Sequence, residues 1–223
     1  MSGGEHAGFH PPVEEYLEAV HELEEEGVPV IQARLAERLG HAPPSVSEMV
    51  RRLRADGYLE ADGRTMRLTE QGRALAVSVV RKHRLAECLL TDVIGLEWHK
   101  AHLEACRWEH VISDEVEEKL VALLGNPTTC PHGNPIPGSD APRLDLEPLA
   151  GAAVGRRVRL ERVTEQVELD TESLTYLGEH GFIPGTEATI SARAEDGTLT
   201  LELTHATIAL AARLAANLFV TAA

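Results

Sequence analysis

The side chains best able to do chemistry are concentrated between residues 83 and 110, HRLAECLLTDVIGLEWHKAHLEACRWEH. His83 and Glu87 stand four apart, and His102, Cys106, Glu109 and His110 fall at i, i+4, i+7 and i+8. At about 100° per residue those last four lie within roughly a quarter of a helix's circumference. Imidazole, thiolate and carboxylate are the usual protein donors for a divalent first-row metal, and a helix holding them on one side loses little extra entropy in assembling them. A lone buried His or Cys is more often packing than a ligand, and a polar helix face is often only solvated. Leu103, Ala105 and Trp108 already supply apolar residues to this segment, so the six donors in two clusters point to a metal site.

Composition bounds what such a site can serve. The 223 residues suffice for one large or two small domains, and no apolar run approaches the ~18 residues needed to cross a bilayer. The N-terminal MSGGEHAGFHPP lacks a cationic start followed by an apolar stretch, so the expectation is a cytoplasmic protein with no membrane partner. Three cysteines, Cys88, Cys106 and Cys130, form an odd count without a C-x-x-C pair, against both a disulfide framework and a zinc ribbon. A formal charge of −15 argues against nucleic acid unless the charge is unevenly placed.

The elements that must position the donors are legible from spacing. PVEEYLEAVHELEEEG, from Pro12 to Gly27, places Val13, Tyr16, Leu17, Val20 and Leu23 on one side of an amphipathic helix rich in glutamate. VIQARLAERLG reads as a second helix and SVSEMVRRLRADG as a third, with the prolines of HAPP marking the turn between them. YLEADGRTMRLT alternates around an Asp62-Gly63 turn as a two-stranded hairpin. This order makes a winged helix-turn-helix over residues 1–69. Its residues 28 to 68 carry seven Arg against five acids, a local net of +2 in an acidic chain. Arg51 and Arg52 on the third helix and Arg64 on the wing are where phosphates and base edges would be met, so double-stranded DNA is the expected partner.

Thr69 caps a long helix that Gly95 ends, another helix carries His102 to His110, and DEVEEKLVALLG makes a third behind Ser113. Their surplus apolar surface predicts a homodimer interface within a helical body over residues 70–140. NPTTCPHGNPIPGS is rich in turn formers, and the stretch from it to about Gly151 reads as a linker, its core at residues 141–150. Residues 151–223 read as a small, mostly β domain, with strands in RRVRLERV, TEATISARAEDGTLTLEL and NLFV and a helix in TESLTYLGEHG.

With these parts in order, the chain resembles the diphtheria toxin repressor family of iron- and manganese-dependent transcriptional regulators. The resemblance is carried by ELEEEG and ARLAERL in the reading head, RKHRLAE, LLTDVIGLE and EACRWEHVISDEVE in the central body, GNPIPG after it, and the tail. It implies a mainly α fold with α+β parts: winged helix-turn-helix, helical dimerisation and metal-binding domain, and a C-terminal SH3-like (FeoA-like) β-barrel.

The resemblance also implies two metal sites per chain. One would use His83, Glu87 and His102 with Glu165 and Glu168 of TEQVE, where the family's Glu-x-x-Gln has become Glu-x-x-Glu. The other would use Glu15, Cys106, Glu109 and His110, with Glu15 where iron-type members have Met. Carboxylates are harder donors than thioether or amide and lean the expectation to Mn²⁺, while the Cys106 thiolate suits Fe²⁺ or Zn²⁺. Cys106 can ligate through sulfur or through its backbone carbonyl. Arg84 and Asn134 match two of the family's three anion-binding residues, with Cys130 in place of the third, a Ser. At the reading helix Ala42, Pro44 and Glu48 match the family's Ser, Pro and Gln, and Pro43, Ser45 and Ser47 complete the DNA-facing set. Glu48 can accept from cytosine N4 but cannot donate to a base.

The function implied is a homodimeric, metal-activated repressor of metal-uptake genes acting on a palindromic operator, without a small-molecule substrate. A metal joining Glu15 to Cys106, Glu109 and His110 would cancel charge beside the reading head and set its angle to the dimer body. Two alternatives stay open on the residues alone. A thiol-based redox regulator on the same scaffold would use Cys88, Cys106 or Cys130. A metal-dependent hydrolase would need an open coordination position, but no H-E-x-x-H or nucleophile motif is present.

Overall fold

The computed structural model describes residues 12–223. The expectation drawn from the first eleven residues, and that part of the 1–69 domain, lies outside them.

The reading head folds as its apolar spacing predicts. Helix α1 (Pro12–Glu25) buries Tyr16, Leu17, Val20 and Leu23. Helices α2 (Gln32–Leu39) and α3 (Pro43–Ala55) follow, with Gly40 in the left-handed conformation closing α2. Pro43 and Pro44 open α3, where a missing N–H leaves no bond unmade. Strands β1 (Leu59–Asp62) and β2 (Thr65–Leu68) pair antiparallel to form the wing. Asp62 is paired opposite Thr65, so the two-residue turn is Gly63-Arg64 and not the expected Asp62-Gly63. A tight hairpin needs positive φ at its first turn position, and Gly63 supplies it at 64°. Leu17, Leu35, Val46, Val50, Leu53 and Leu68 share one core.

Helix α4 (Glu70–Cys88) begins where the Thr69 hydroxyl accepts from the Gly72 N–H at 3.1 Å. A Cβ at Gly72 would stand 2.1 Å from the Tyr58 carbonyl oxygen, so the wing packs on α4 only because this residue has no side chain. The chain continues beyond Cys88 as a π-type turn, Leu89–Ile94, before Gly95 ends it at φ 79°. Because α1 packs along α4, the first helix of the reading head lies against the helix bearing His83 and Glu87. Helix α5 (Ala101–Trp108) is shorter than expected, and Glu109 and His110 lie just past its last turn. Helix α6 (Asp114–Leu123) is capped by Ser113, whose hydroxyl accepts from the Val116 N–H.

The segment at 126–139 is not a linker. Cys130, His132, Asn134 and Ile136 are buried, and the Cys130 and Ile136 N–H groups donate to the carbonyls of Asn134 and Thr128. Proline and glycine mark irregular backbone, not exposure, and here they build a folded loop between α4 and the tail.

The tail is a six-stranded antiparallel sheet in the order β3-β8-β4-β5-β6-β7. Its strands are β3 (Glu147–Pro148), β4 (Arg157–Val163), β5 (Glu187–Arg193), β6 (Leu199–Glu202), β7 (Thr207–Leu210) and β8 (Leu218–Ala222). Strand β3 begins inside the stretch expected to be a linker, and β7 lies outside the stretches that the sequence marks as strands. Two helices, α7 (Glu165–Glu168) and α8 (Thr171–Glu179), follow β4, and the short α9 (Ala212–Ala215) precedes β8. Leu160, Phe182, Ile190, Leu199 and Leu201 fill the core of this SH3-like body.

Candidate metal centre

Five segments deliver donors to one buried region. Helix α4 carries His83 and Glu87 one turn apart, α5 carries His102 and Cys106 one turn apart, and the chain just after it carries Glu109 and His110. From the tail, the single turn of α7 presents Glu165 and Glu168, both buried. The loop after α6 adds Cys130 and His132, and α1 adds Glu14, Glu15 and Glu18.

The two sites expected from the sequence are contiguous. His83 Nε2 is 3.2 Å from Glu87 Oε1, and His83 Nδ1 is 2.5 Å from Glu109 Oε2, so this imidazole joins both donor sets. His102 Nδ1 is 3.2 Å from both Glu165 Oε1 and Glu168 Oε2, and His102 Nε2 is 3.6 Å from Cys106 Sγ. The helical arithmetic put His102, Cys106, Glu109 and His110 on one face, but they divide because the helix stops at Trp108.

Glu15 and Glu18 line a cavity of about 260 Å³ together with Glu22, Arg38, His83, His102, Cys106, Glu109 and Glu165. Its walls come from the reading head, the helical body and the tail. The direct α1 contact to His110 is made by Glu14, whose Oε2 is 2.7 Å from His110 Nδ1, and not by Glu15. Glu18 has an oxygen grouped with donor atoms of His83 and Glu109, all within 4.8 Å of one another. Nothing in the sequence separates Glu14 or Glu18 from the other glutamates of that helix.

His132 is the main residue that sequence reasoning missed. Its Nδ1 is 2.9 Å from Glu87 Oε1 and 3.0 Å from Glu168 Oε2, and its Nε2 is 3.3 Å from the Trp98 carbonyl oxygen. Donor atoms of Glu87, Cys130 and His132 lie within 4.8 Å of one another. The available signal was Cys130 and His132 two apart in CPHG, hidden inside a turn-rich stretch. Gly133 holds this loop in place: a Cβ there would stand 1.9 Å from the Glu161 carbonyl oxygen of β4, and its φ is 85°.

Burial would depress His83, His102 and His132, but neighbouring groups raise all three well above the ordinary imidazole range. The raising neighbours are chiefly Glu87 at His83, the Cys106 thiolate and Glu165 at His102, and Glu168 and Glu87 at His132. Burial raises the Cys106 thiol, yet His102 and His83 bring it below its usual value, whereas burial pushes Cys130 up to about 12. Despite burial, hydrogen bonds from His110 and His83 hold Glu109 at about 2. Burial, then Glu109 and Glu22, keep Glu18 well above the carboxylate range.

The donors fit a metal. His83 Nε2, His102 Nδ1 and Glu87 Oε2 are buried and make no hydrogen bond, although carboxylate oxygens stand 3.2 Å from both imidazole nitrogens. Those contacts have the distance of an ion pair without the direction of a hydrogen bond. Ligands about 2.0–2.2 Å from a common ion are separated from each other by roughly 3 to 3.6 Å. The groups converge on shared points rather than on one another.

The two residues expected to bind an anion have hydrogen-bond partners within the chain. Arg84 donates to both Glu25 carboxylate oxygens and to the Pro135 carbonyl, and Asn134 donates to the Val163 carbonyl and to Glu168 Oε1. Arg84 and Asn134 thus serve different partners. At the reading helix Ala42, Pro43, Pro44, Ser45 and Glu48 are exposed, Ser47 is half-buried, and Arg51, Arg52 and Arg64 are exposed.

Family models match three stretches: iron dependent repressor, N-terminal DNA binding domain, over 9–65; iron dependent repressor, metal binding and dimerisation domain, over 69–138; and FeoA domain over 147–222. The chain is 44% identical over 211 residues to the iron-dependent repressor IdeR of Mycobacterium tuberculosis, covering 88% of this chain and 91% of that protein. It is 45% identical to the diphtheria toxin repressor of Corynebacterium diphtheriae, covering 84% and 87%. Among solved structures, a manganese-dependent transcriptional repressor in complex with manganese superposes with a TM-score of 0.83 at 29% identity, covering 95% of this chain and 100% of that one.

Proposed function

The chain belongs to the iron-dependent repressor family and is a metal-dependent DNA-binding repressor, not an enzyme; we propose that metal closes the reading head onto the helical body and tail. The observation that carries this reading is the cavity walled by α1, α4, α5 and α7. A divalent cation bound between Glu15, Glu18, Cys106, Glu109 and His110 would neutralise acidic side chains of the reading head while tying them to the dimer body. Side chains of α1 would no longer repel one another or nearby phosphate, and α3 would be held at one angle.

His83, Glu87, His102, Glu165 and Glu168 form the second expected ligand set, with Cys130 and His132 beside it. Because α7 supplies two of these carboxylates, metal there would dock the tail on α4 and α5. Carboxylates outnumber thiolates across the whole set, which favours Mn²⁺ as the sensed ion, with Fe²⁺ as the competitor that Cys106 and Cys130 would favour. A solved relative is described with manganese bound and another with zinc.

The repressor acts as a homodimer on a two-fold symmetric operator and silences genes for uptake of its metal, so its place is the cytoplasm. None of the helices among the described residues is long and apolar enough to cross a membrane. By linkage, DNA tightens metal binding by the same factor that metal tightens DNA binding. Fluorescence anisotropy of labelled operator DNA, titrated anaerobically with Mn²⁺ and with Fe²⁺, tests the assignment. Metal-independent binding would overturn it.

A further inference from the structure

The deep cluster holds more donors than one ion can use. His83, His102, Glu165 and Glu168 place donor atoms within 4.8 Å of one another, and Glu87, Cys130 and His132 form a second such group. A first-row divalent ion takes about four to six donors. Two carboxylates touch both groups. Glu87 Oε1 is 3.2 Å from His83 Nε2, 3.6 Å from His102 Nδ1 and 2.9 Å from His132 Nδ1. Glu168 Oε2 is 3.2 Å from His102 Nδ1 and 3.0 Å from His132 Nδ1.

We propose that this cluster is a two-ion centre in which Glu87 and Glu168 bridge an imidazole- and carboxylate-bound ion on the His102 side to a thiolate-bound ion held by Cys130 and His132. The proposal rests on that part of the functional reading above which places an ion among His83, Glu87, His102, Glu165 and Glu168. It adds an ion and assigns Cys130 and His132 as its ligands.

Charge and orientation support the second ion. Glu87, Glu165 and Glu168 put three negative charges in a buried region, so one divalent cation leaves one of them to be balanced. A second cation that displaces the Cys130 thiol proton brings the set of three carboxylates and one thiolate to neutrality. His132 is oriented as a ligand. Its Nε2–H can donate to the Trp98 carbonyl at 3.3 Å, which leaves the Nδ1 lone pair aimed at the bridging carboxylates. The loop cannot relax away, because Gly133 lies against β4 with no room for a Cβ and the Val163 N–H donates to the His132 carbonyl at 2.9 Å. The two positions differ in character: the His102 side offers nitrogen and oxygen, while the Cys130 side adds a soft sulfur.

The test counts ions and probes their coupling in the full-length protein. Wild type, His102→Ala, His132→Phe and Cys130→Ser are loaded anaerobically with Mn²⁺ or Co²⁺, freed of excess metal and analysed for bound metal per chain. Circular dichroism verifies that each is folded. Wild type should hold one ion more per chain than His132→Phe or Cys130→Ser, and its Mn²⁺ EPR signal should show exchange broadening that both variants lose. Cys130→Ser removes the sulfur with almost no change of volume, so it decides the matter if His132→Phe fails to fold. If His102→Ala loses metal while Cys130→Ser keeps the wild-type count and spectrum, the two-ion centre is overturned and the functional reading stands. If His102→Ala also keeps the wild-type count, the two-ion centre and the ion read on the His102 side both fall, and only the ion among Glu15, Glu18, Cys106, Glu109 and His110 is left of the functional reading.

Discussion

His132 Nδ1 lies 2.9 Å from Glu87 Oε1 although 45 residues separate them, and each is buried. The contact joins the loop after α6 to the C-terminal end of α4, and both residues also face Glu168 or its neighbours on the tail. Three segments distant in the chain therefore depend on one small polar volume. Perturbing any of them should be felt at the reading head.

The α1 glutamates should separate by role. Glu15→Gln and Glu18→Gln remove carboxylates from the cavity and should each weaken metal-stimulated DNA binding by about 10-fold or more, equivalent to roughly 1.4 kcal/mol. Glu14→Gln, which loosens the contact to His110, should have a smaller effect. Anisotropy titrations at saturating Mn²⁺ give the ranking. A Glu14 variant more damaged than both others would transfer the ligand role to Glu14.

Stability of the metal-free protein should depend on pH in a defined direction. His83, His102 and His132 have raised folded values, so their stabilising contribution is complete below about 6.5, the unfolded value, and is lost as pH rises through the raised values. Glu87 and Glu109 act oppositely: despite burial their folded values are lowered, so their contribution is present above about 4.3 and lost as pH falls further. Metal-free protein should melt highest in the mildly acidic range and lose Tm towards alkaline pH. Saturating Mn²⁺ should flatten that alkaline loss by replacing the protons. Calorimetry that finds metal-free Tm climbing steadily with pH would contradict the assignment.

Recognition of DNA should divide between charge and base readout. Arg51→Ala should weaken binding to all sequences and reduce the salt slope by about one. Glu48→Gln exchanges an acceptor for a group that also donates, and should change the preferred base by about 1–3 kcal/mol of discrimination with little change in salt slope. Selection from a randomised operator library separates the two.

Val116 and Leu123 lie seven apart on α6 and are 47% and 63% exposed, and Val93 and Ile94 are each 56% exposed. Because the family model matched here is a dimerisation domain, we propose that a second copy covers this apolar surface. Leu123→Glu should shift sedimentation towards monomer and lower operator affinity, while metal bound per chain stays near wild type. A dimer of unchanged strength would move the interface elsewhere.

Gly133→Ala should disturb the metal centre without touching a donor. The positive φ alone costs about 1–3 kcal/mol for most residues, and the added Cβ would collide with the Glu161 carbonyl. Displacement of His132 should appear as weaker metal binding by calorimetry, together with a lower Tm.

The sequence by itself determined the parts. Apolar spacing gave α1 its buried face, Thr69 and Ser113 marked the starts of α4 and α6, and the local excess of arginine marked the reading head within an acidic chain. These are local properties, set by helical period, capping and composition. Tertiary structure decided the rest. It made one contiguous centre of two expected sites because His83 turns one nitrogen to each, and it brought His132 out of a stretch whose composition read as linker. It satisfied Arg84 with Glu25 and set Glu14, not Glu15, against His110. Spacing along a helix tells which residues share a face, but which donors meet depends on where the helices end, how the loop crosses β4, and how α7 docks. Those are matters of packing between segments far apart in sequence.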